Sequence, residues 1–407
     1  KNLVSNVLQI SRPLDRLILT LSHVYPLNIK MISEIIDVDI NEAKALFKSA
    51  LNFAFVKKLP GDLGISLHDE MRDMIKKYLL VENRNFDKRK KRDSQIAALI
   101  YKNQEENLYR EIKKIEDRMD KKNSSDTSTS TMYAFKTEKL KRMREYATEK
   151  QLEHLFYAGE NNFFDTWKAI MNRVRRSKKV TFINNLIQIA KENQVKLTNE
   201  QKLDLQYFEA RFLSDINNID AALKMAKDLL STKYNKSTVY NLLGVIFRKK
   251  GDLKEAEKAQ LKCLNGISLY NYFARANVLN QLGYIARLLG DYRKAEKHYK
   301  QSQASLSKIN IKKQSADDQK KVIKLMASLS NNLGYVYGLR KEFDVAKALC
   351  QEAVSRWKEI QDYVEISRAE TTMGILARDQ GDNEASCRLL TTAIDRMKEP
   401  AYAEELC

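Results

Sequence analysis

Glycine and proline are scarce, 12 and 4 residues in a chain of 407. So few breakers argue against a loop-rich or all-β fold, and the chain reads as mainly α. Cysteine is equally rare. Cys263, Cys350, Cys387 and Cys407 form no C-x-x-C pair, and none stands at metal-ligand spacing from one of the four histidines. A zinc module is therefore not expected, and reduced thiols in a cytoplasmic protein are the simplest reading. No run of about 18 apolar residues occurs, so no membrane-spanning helix is expected. No secretory signal opens the chain. Paired acid and base groups, a metal cluster and a nucleophile motif are all missing, which argues against an enzyme and against a cofactor held by this chain.

Positive charge is abundant: 72 basic against 53 acidic residues, net +19. That surplus suits an acidic partner, whether nucleic acid, acidic protein or anionic lipid, or it simply solvates helix faces. The length predicts two or three domains.

Residues 1–82 read as one domain. Leu14, Leu17, Ile18, Leu21 and Val24 share a helical face, with Pro13 at the helix start. A second helix carries Met31, Ile32, Ile35 and Ile36. Asp39 and Glu42 offer a capping box for a third, whose apolar face is Ala43, Leu46, Phe47, Ala50 and Leu51. "FVKKL", "PGDLG" and "GISLH" then predict a β-hairpin with a Pro/Gly turn. Three helices and a hairpin are the order of a winged helix. Its third helix offers Lys44, Lys48 and Ser49 but no Arg, with Glu42 at its entry, so base reading is not favoured.

The hairpin ends on Leu67-His68-Asp69, where strand hands over to helix. This block resembles the winged helix of STAND ATPases, the nucleotide-switched signalling family that includes the maltose-type regulators. Their second wing strand carries Met-His-Asp, and here Leu67 replaces the Met. The resemblance implies that His68, with Asp69, senses nucleotide, the imidazole donating to the β-phosphate of ADP in a preceding ATPase domain. No G-x-x-x-x-G-K-[ST] stretch occurs, so the ATP/ADP-binding domain would lie upstream of Lys1. A plain capping role at the strand–helix junction is the simpler alternative for His68.

Residues 83–135 read as a helical linker. It opens on the basic run "RNFDKRKKR", expected to be solvated. A stripe of Ile96, Leu99, Ile100, Leu108, Ile112, Ile115 and Met119 follows, and then the low-complexity "NSSDTSTST", expected to be mobile. Residues 136–200 read as a helical pair around a Gly-Glu-Asn turn, similar to the first pair after the winged helix in the maltose-type family.

The strongest signal lies in residues 201–407. Four segments align on an apolar-Gly pair at Leu243-Gly244, Leu282-Gly283, Leu333-Gly334 and Met373-Gly374. Seven residues on come the turn positions Gly251, Gly290, Lys341 and Gly381, and five further the small residues Ala256, Ala295, Ala346 and Ser386. This is similar to the tetratricopeptide pattern, in which the glycine and the small residue let paired helices approach. The glycines are 39, 51 and 40 residues apart, beyond the usual value of about 34. The longest gap holds an insert near "KINIKKQSADDQKK". Ala210 and Ala222 mark a degenerate repeat before these. The predicted architecture is a winged helix, a helical linker and an α-solenoid.

Such solenoids bind partners on a concave face lined by the first helix of each pair. Three residues before each glycine stand Asn241, Asn280, Asn331 and Thr371. Four after it stand Arg248, Arg287, Gly338 and Arg378, and Tyr284 and Tyr335 follow their glycines directly. An asparagine ladder can bond a peptide backbone, and the arginines can take carboxylate or phosphate. The alternative is that Asn fits a crowded groove and Arg is merely solvated. Cys263, Cys350, Trp167 and Trp357 read as core.

The function these features predict is the sensor arm of a STAND ATPase, oligomerising once a peptide or protein ligand is bound. A winged-helix transcription regulator sensing a peptide, and a passive interaction scaffold, are the alternatives. Nucleic acid is the less favoured partner, and no membrane partner is expected.

Overall fold

A computed structural model describes residues 12–60, 63–79, 84–121, 127–159, 162–174 and 179–398. They divide into two compact units, one containing the chain up to Arg173 together with residues 188–196, the other the remainder.

The first unit begins with three short helices, α1 (Pro13–Thr20), α2 (Ile29–Ile36) and α3 (Ile40–Ala50). Each starts where the sequence provides a stop for the free N–H groups. Pro13 heads α1, Asn28 accepts from the Met31 N–H at 3.0 Å, and Asp39 accepts from Asn41 and Glu42. Strands β1 (Val56–Lys58) and β2 (Ile65–Leu67) then pair antiparallel, Val56 opposite Leu67. Leu27 adds an isolated bridge to Ile65. Gly64 makes that bridge possible: its φ is +110°, and a Cβ there would strike the Leu27 carbonyl. Leu17, Ile32, Ile35, Leu27, Ile65 and Leu67 are sealed into a common core.

Helix α4 (Asp69–Leu79) follows the hairpin, and α5 (Arg84–Lys121) and α6 (Thr127–Ala158) form a long pair. The basic run at 84–92 lies inside α5, with Lys88, Lys91 and Arg92 exposed as solvated side chains, because Lys and Arg are good helix formers and need no partner to stay helical in water. Of the Ser/Thr segment, Thr127–Thr131 are already helical, while 123–126 lie outside the described residues. Leu99 points outward at 58% exposure, and Ala97, Ala98 and Tyr101 take the buried positions near it. Leu108, Ile112 and Ile115 pack with Leu140 of α6. A buried polar knot ties the early segment to α5: Asp93 accepts from Thr20 Oγ1 at 3.2 Å and pairs with His23 Nε2 at 3.3 Å. His154 of α6 is buried, stacked on Tyr101, and neither ring nitrogen has a partner. Helix α7 (Phe163–Val174) buries Trp167 completely. Helix α8 (Val180–Glu192) follows it.

The second unit is a series of helical hairpins: α9 (Asn199–Asp215) with α10 (Ile219–Leu230), α11 (Lys236–Lys250) with α12 (Leu253–Asn265), α13 (Tyr272–Leu288) with α14 (Tyr292–Leu306), α15 (Ala316–Leu339) with α16 (Phe343–Glu359), and α17 (Tyr363–Asp379) with α18 (Asn383–Lys398). The first is the degenerate repeat, with Ala210 and Ala222 sealed. The predicted turn residues all take left-handed backbone: Gly251, Gly290, Gly381 and, without glycine's freedom, Lys341 at φ +66°. Asp252, Asp291 and Asp382 cap the second helices after the glycines. After Lys341 the cap position is Glu342, whose side chain makes no such bond.

The small positions work as the spacing predicts. Ala256, Ala295 and Ala346 are fully buried and Ser386 nearly so. A Cβ on any of the four repeat glycines would lie closer than 3.0 Å to the residue sixteen places on, namely Gln260, Tyr299, Cys350 and Leu390. The insert folds as a short 3-10 turn, Ile311–Lys313, and a lengthened N-terminal part of α15. Ile309 and Ile311 rest on the core of the neighbouring hairpin.

Candidate functional site

His68 and Asp69 sit at the hand-over from β2 to α4, as predicted. His68 is exposed, and its backbone N–H donates to the Phe55 carbonyl at 2.9 Å. The Asp69 carboxylate, 77% exposed, is held by Arg72, whose guanidinium lies 3.8 Å from the Tyr25 ring centre. The imidazole is thus presented to solvent and is not packed beneath the hairpin.

On the first-helix face of the hairpins the predicted rows separate into spent and unspent groups. Asn241 Oδ1 and its backbone carbonyl both accept from Gln260 Nε2, at 3.3 and 3.2 Å. Asn280 Oδ1 accepts from Asn332 Nδ2 at 3.0 Å. Asn332 therefore meets Asn280 across the groove, and Asn331, the residue the spacing selects, keeps a buried Oδ1 with no partner. Thr371 spends its hydroxyl on the Ser367 carbonyl one turn back. Arg378 is exposed and bonds Asp379, so it stands apart from the other predicted arginines. Gly338 leaves room for Leu376 of α17.

Arg248, Tyr284, Arg287 and Tyr335 converge. The Arg248 guanidinium carbon lies 5.2 Å from the Tyr284 ring centre. That of Arg287 lies 4.6 Å from Tyr284 and 4.4 Å from Tyr335. The result is a cluster of two cations and two rings drawn from α11, α13 and α15, all four side chains half-buried. Neither guanidinium has a carboxylate or carbonyl partner among the described residues. Other cations of the repeats do: Lys324 meets Asp362 at 2.5 Å, Arg340 meets Glu296 at 2.6 Å and Arg396 meets Glu370 at 2.9 Å. Helices α11 and α13 contain no Asp or Glu at all.

Three contributors were not legible from spacing. Asn332 and Gln260 hold the asparagines, and Tyr299 packs against the helix that carries Tyr284 and Arg287. Tyr299 is fully buried beside Gly283, its hydroxyl has no partner, and burial pushes that hydroxyl well above its usual range. An aromatic at the sixteenth place after a repeat glycine was the available signal.

The remaining chemistry is quiet. Burial raises the Cys263 thiol to about 11 and the Cys350 thiol to about 12, so both stay protonated and act as small core residues. Among the described residues no cluster of His, Cys, Asp or Glu could hold a metal ion, and no helix is long and apolar enough to cross a membrane.

Sequence models of the tetratricopeptide repeat match residues 235–308 and 326–360. These repeats are protein-interaction modules, and the matched stretches of this chain belong to that class. No curated protein matches the chain. Among solved structures, the chain is similar to a STAND protein with a tetratricopeptide-repeat sensor from Pyrococcus horikoshii, at 14% identity and TM-score 0.48, covering 97% of this chain and 58% of that one. It is similar to the apo form of RapI, at 12% identity and TM-score 0.44, covering 95% and 99%. It is also similar to BtubC from P. vanneervenii, at 17% identity and TM-score 0.40, covering 56% and 90%. At these values the likenesses carry no functional statement to this chain.

Proposed function

We propose that the chain is the sensing and regulatory arm of a nucleotide-switched signalling protein, and that the first-helix face of its repeats binds a peptide or protein segment. The observation that carries the binding half is the row of unspent polar groups on that face. The side-chain amide nitrogens of Asn241, Asn280 and Asn331 make no hydrogen bond within the described residues, while the carbonyl oxygen of Asn241 is held by Gln260 of the second helix and that of Asn280 by Asn332 of the next first helix. Amides fixed in this way are pre-oriented donors for the main-chain carbonyls of an extended segment, which lowers the ordering cost of binding.

The regulatory half rests on the resemblance at Leu67-His68-Asp69. In this reading the N-terminal helices and hairpin are a winged helix, and His68 holds ADP in an upstream ATPase domain in the resting state. Ligand on the repeats favours the open state, nucleotide exchanges, and the protein oligomerises in the cytoplasm. Solvent exposure of the imidazole supports a histidine that works on something outside its own domain. The shift requires a ligand that binds the open state more tightly than the closed one.

The test uses the full-length protein. His68→Ala releases co-purifying ADP, while the isolated arm carrying the same substitution melts like the parent. If His68→Ala keeps its ADP, or if no nucleotide co-purifies with the parent, the switch reading falls. For the face, Asn280→Ala together with Asn331→Ala lowers affinity for randomised peptides; unchanged affinity removes the ladder.

A further inference from the structure

We infer that the ligand of the repeat face is acidic, and that one of its carboxylate side chains seats between Arg248 and Arg287 against the Tyr284 ring. This rests on the peptide-binding reading above and adds the chemistry of the occupant.

Both guanidinium carbons lie within 5.2 Å of a single ring centre, so at most about 10 Å separates them. A carboxylate with charge-assisted bonds of about 2.8 Å to each side spans a gap of that order. The two cations come from neighbouring hairpins, so one carboxylate would touch two repeats at once. Neither guanidinium makes a hydrogen bond among the described residues, so its fork of donors is unused, and a planar fork can bond a carboxylate bidentately. The Arg248 Nε–H is covered and unpartnered.

Helices α11 and α13 carry Lys236, Arg248, Lys249, Lys250, Arg275 and Arg287 and no acid. Lys249 and Lys250 meet acids of the preceding hairpin, Asp215 at 3.4 Å and Asp220 at 3.2 Å, but Arg248 and Arg287 meet none among the described residues. Two half-buried cations held near each other without a counter-charge cost the folded chain free energy, and an incoming anion relieves it. A Lys or neutral side chain at the same place would not. Tyr299 adds to this. Its hydroxyl is buried and unpartnered, and its ring lies against Gly283 of the helix that carries Tyr284 and Arg287, which adds one more donor without an acceptor. Asn331 offers the opposite polarity, a buried acceptor with no partner. An acidic residue in a peptide supplies both halves, a carboxylate for the donors and a backbone N–H for the acceptor.

The test measures fluorescence anisotropy of the full 407-residue chain with three labelled pools of randomised nonapeptides, their central residue fixed as Glu, Gln or Lys. The Glu pool is expected to bind at least tenfold more tightly than the Gln pool, with the Lys pool weakest. Raising salt from 0.05 to 0.5 M should shrink that preference in the unaltered protein. Arg248→Gln and Arg287→Gln should each cost the Glu pool about tenfold and leave the Gln pool unchanged, with circular dichroism reporting an intact fold. Equal binding of Glu and Gln pools overturns the acidic-ligand inference and leaves the peptide-binding face standing. Failure of every pool to bind a folded chain overturns both. Loss of Glu-pool binding in Arg248→Lys, which keeps the charge, would show that the planar fork and not the charge alone is read.

Discussion

The ring of Tyr299 occupies the space that a side chain at Gly283 would need. A Cβ there would lie 2.5–2.9 Å from three ring atoms, and Tyr299 is itself fully buried. Gly283→Ala is therefore expected to force the ring aside and destabilise the repeats by about 1–3 kcal/mol. Trimming the ring with Tyr299→Leu should lower the added cost of Gly283→Ala, a coupling that a double-mutant cycle on urea midpoints measures. Purely additive costs would mean the two do not share that space.

Lys341 takes the left-handed conformation that glycine takes in three sister turns. An L side chain there costs about 1 kcal/mol. Lys341→Gly should slow amide exchange in the α15–α16 hairpin by about fivefold. Adding Glu342→Asp, which restores the cap found after the other turns, should slow it further. Faster exchange in either variant would mean that the Arg340–Glu342 pair, 2.8 Å apart, outweighs both local terms.

His154 is buried with both ring nitrogens unpaired, and burial pulls its pKa from 6.5 down to about 3. The folded chain therefore keeps it neutral while the unfolded chain protonates it near pH 6.5. Above that value the residue contributes no pH dependence. Below it the unfolded state binds a proton that the folded state refuses, and stability falls by up to about 1.4 kcal/mol per pH unit until the folded pKa is reached. Melting curves at pH 7 and pH 5 should show a smaller acid-induced drop for His154→Phe than for the parent. Equal drops would place the acid sensitivity elsewhere.

Asp93 holds Thr20 and His23 out of reach of water. Asp93→Ala leaves both polar groups buried with one partner fewer, a loss of about 2–3 kcal/mol in the first unit. Differential scanning calorimetry should show the early transition moving down and the transition of the repeats staying in place.

The sequence carried the repeats well, because their signal is steric. A glycine, a turn and a small residue at fixed offsets have few alternative meanings, and each is filled as predicted. The cap at Asp39 was legible for the same local reason, and that at Asn28 was not singled out. The linker was less so. A run such as Lys88-Arg89-Lys90-Lys91-Arg92 reads as solvated on charge, and that holds at Lys88, Lys91 and Arg92, but charge alone does not show the helix: long straight side chains are at ease in one and need only water around them. The site was half legible. Spacing pointed to Arg248, Tyr284, Arg287 and Tyr335 because they hold two fixed offsets, one and four, from the repeat glycines on successive first helices. It did not show Asn332, whose bond to Asn280 depends on which amide reaches across from α15. Arg378 kept the register but found Asp379 beside it, a local bond that the repeat pattern does not encode.

Helices α11 and α13 have no acid, and they have no histidine either. Those are the side chains that ordinarily titrate between about pH 3 and 7. The charge these helices present is thus constant across that range, like an electrode held at fixed potential. An anionic ligand that lets go in that range does so through its own protonation or through acids of the neighbouring hairpin, such as Asp215 and Asp220, which pair with Lys249 and Lys250; Asp215→Asn and Asp220→Asn separate the two. In those variants, release near pH 4 marks a carboxylate, and weakening near pH 6 marks a phosphate monoester.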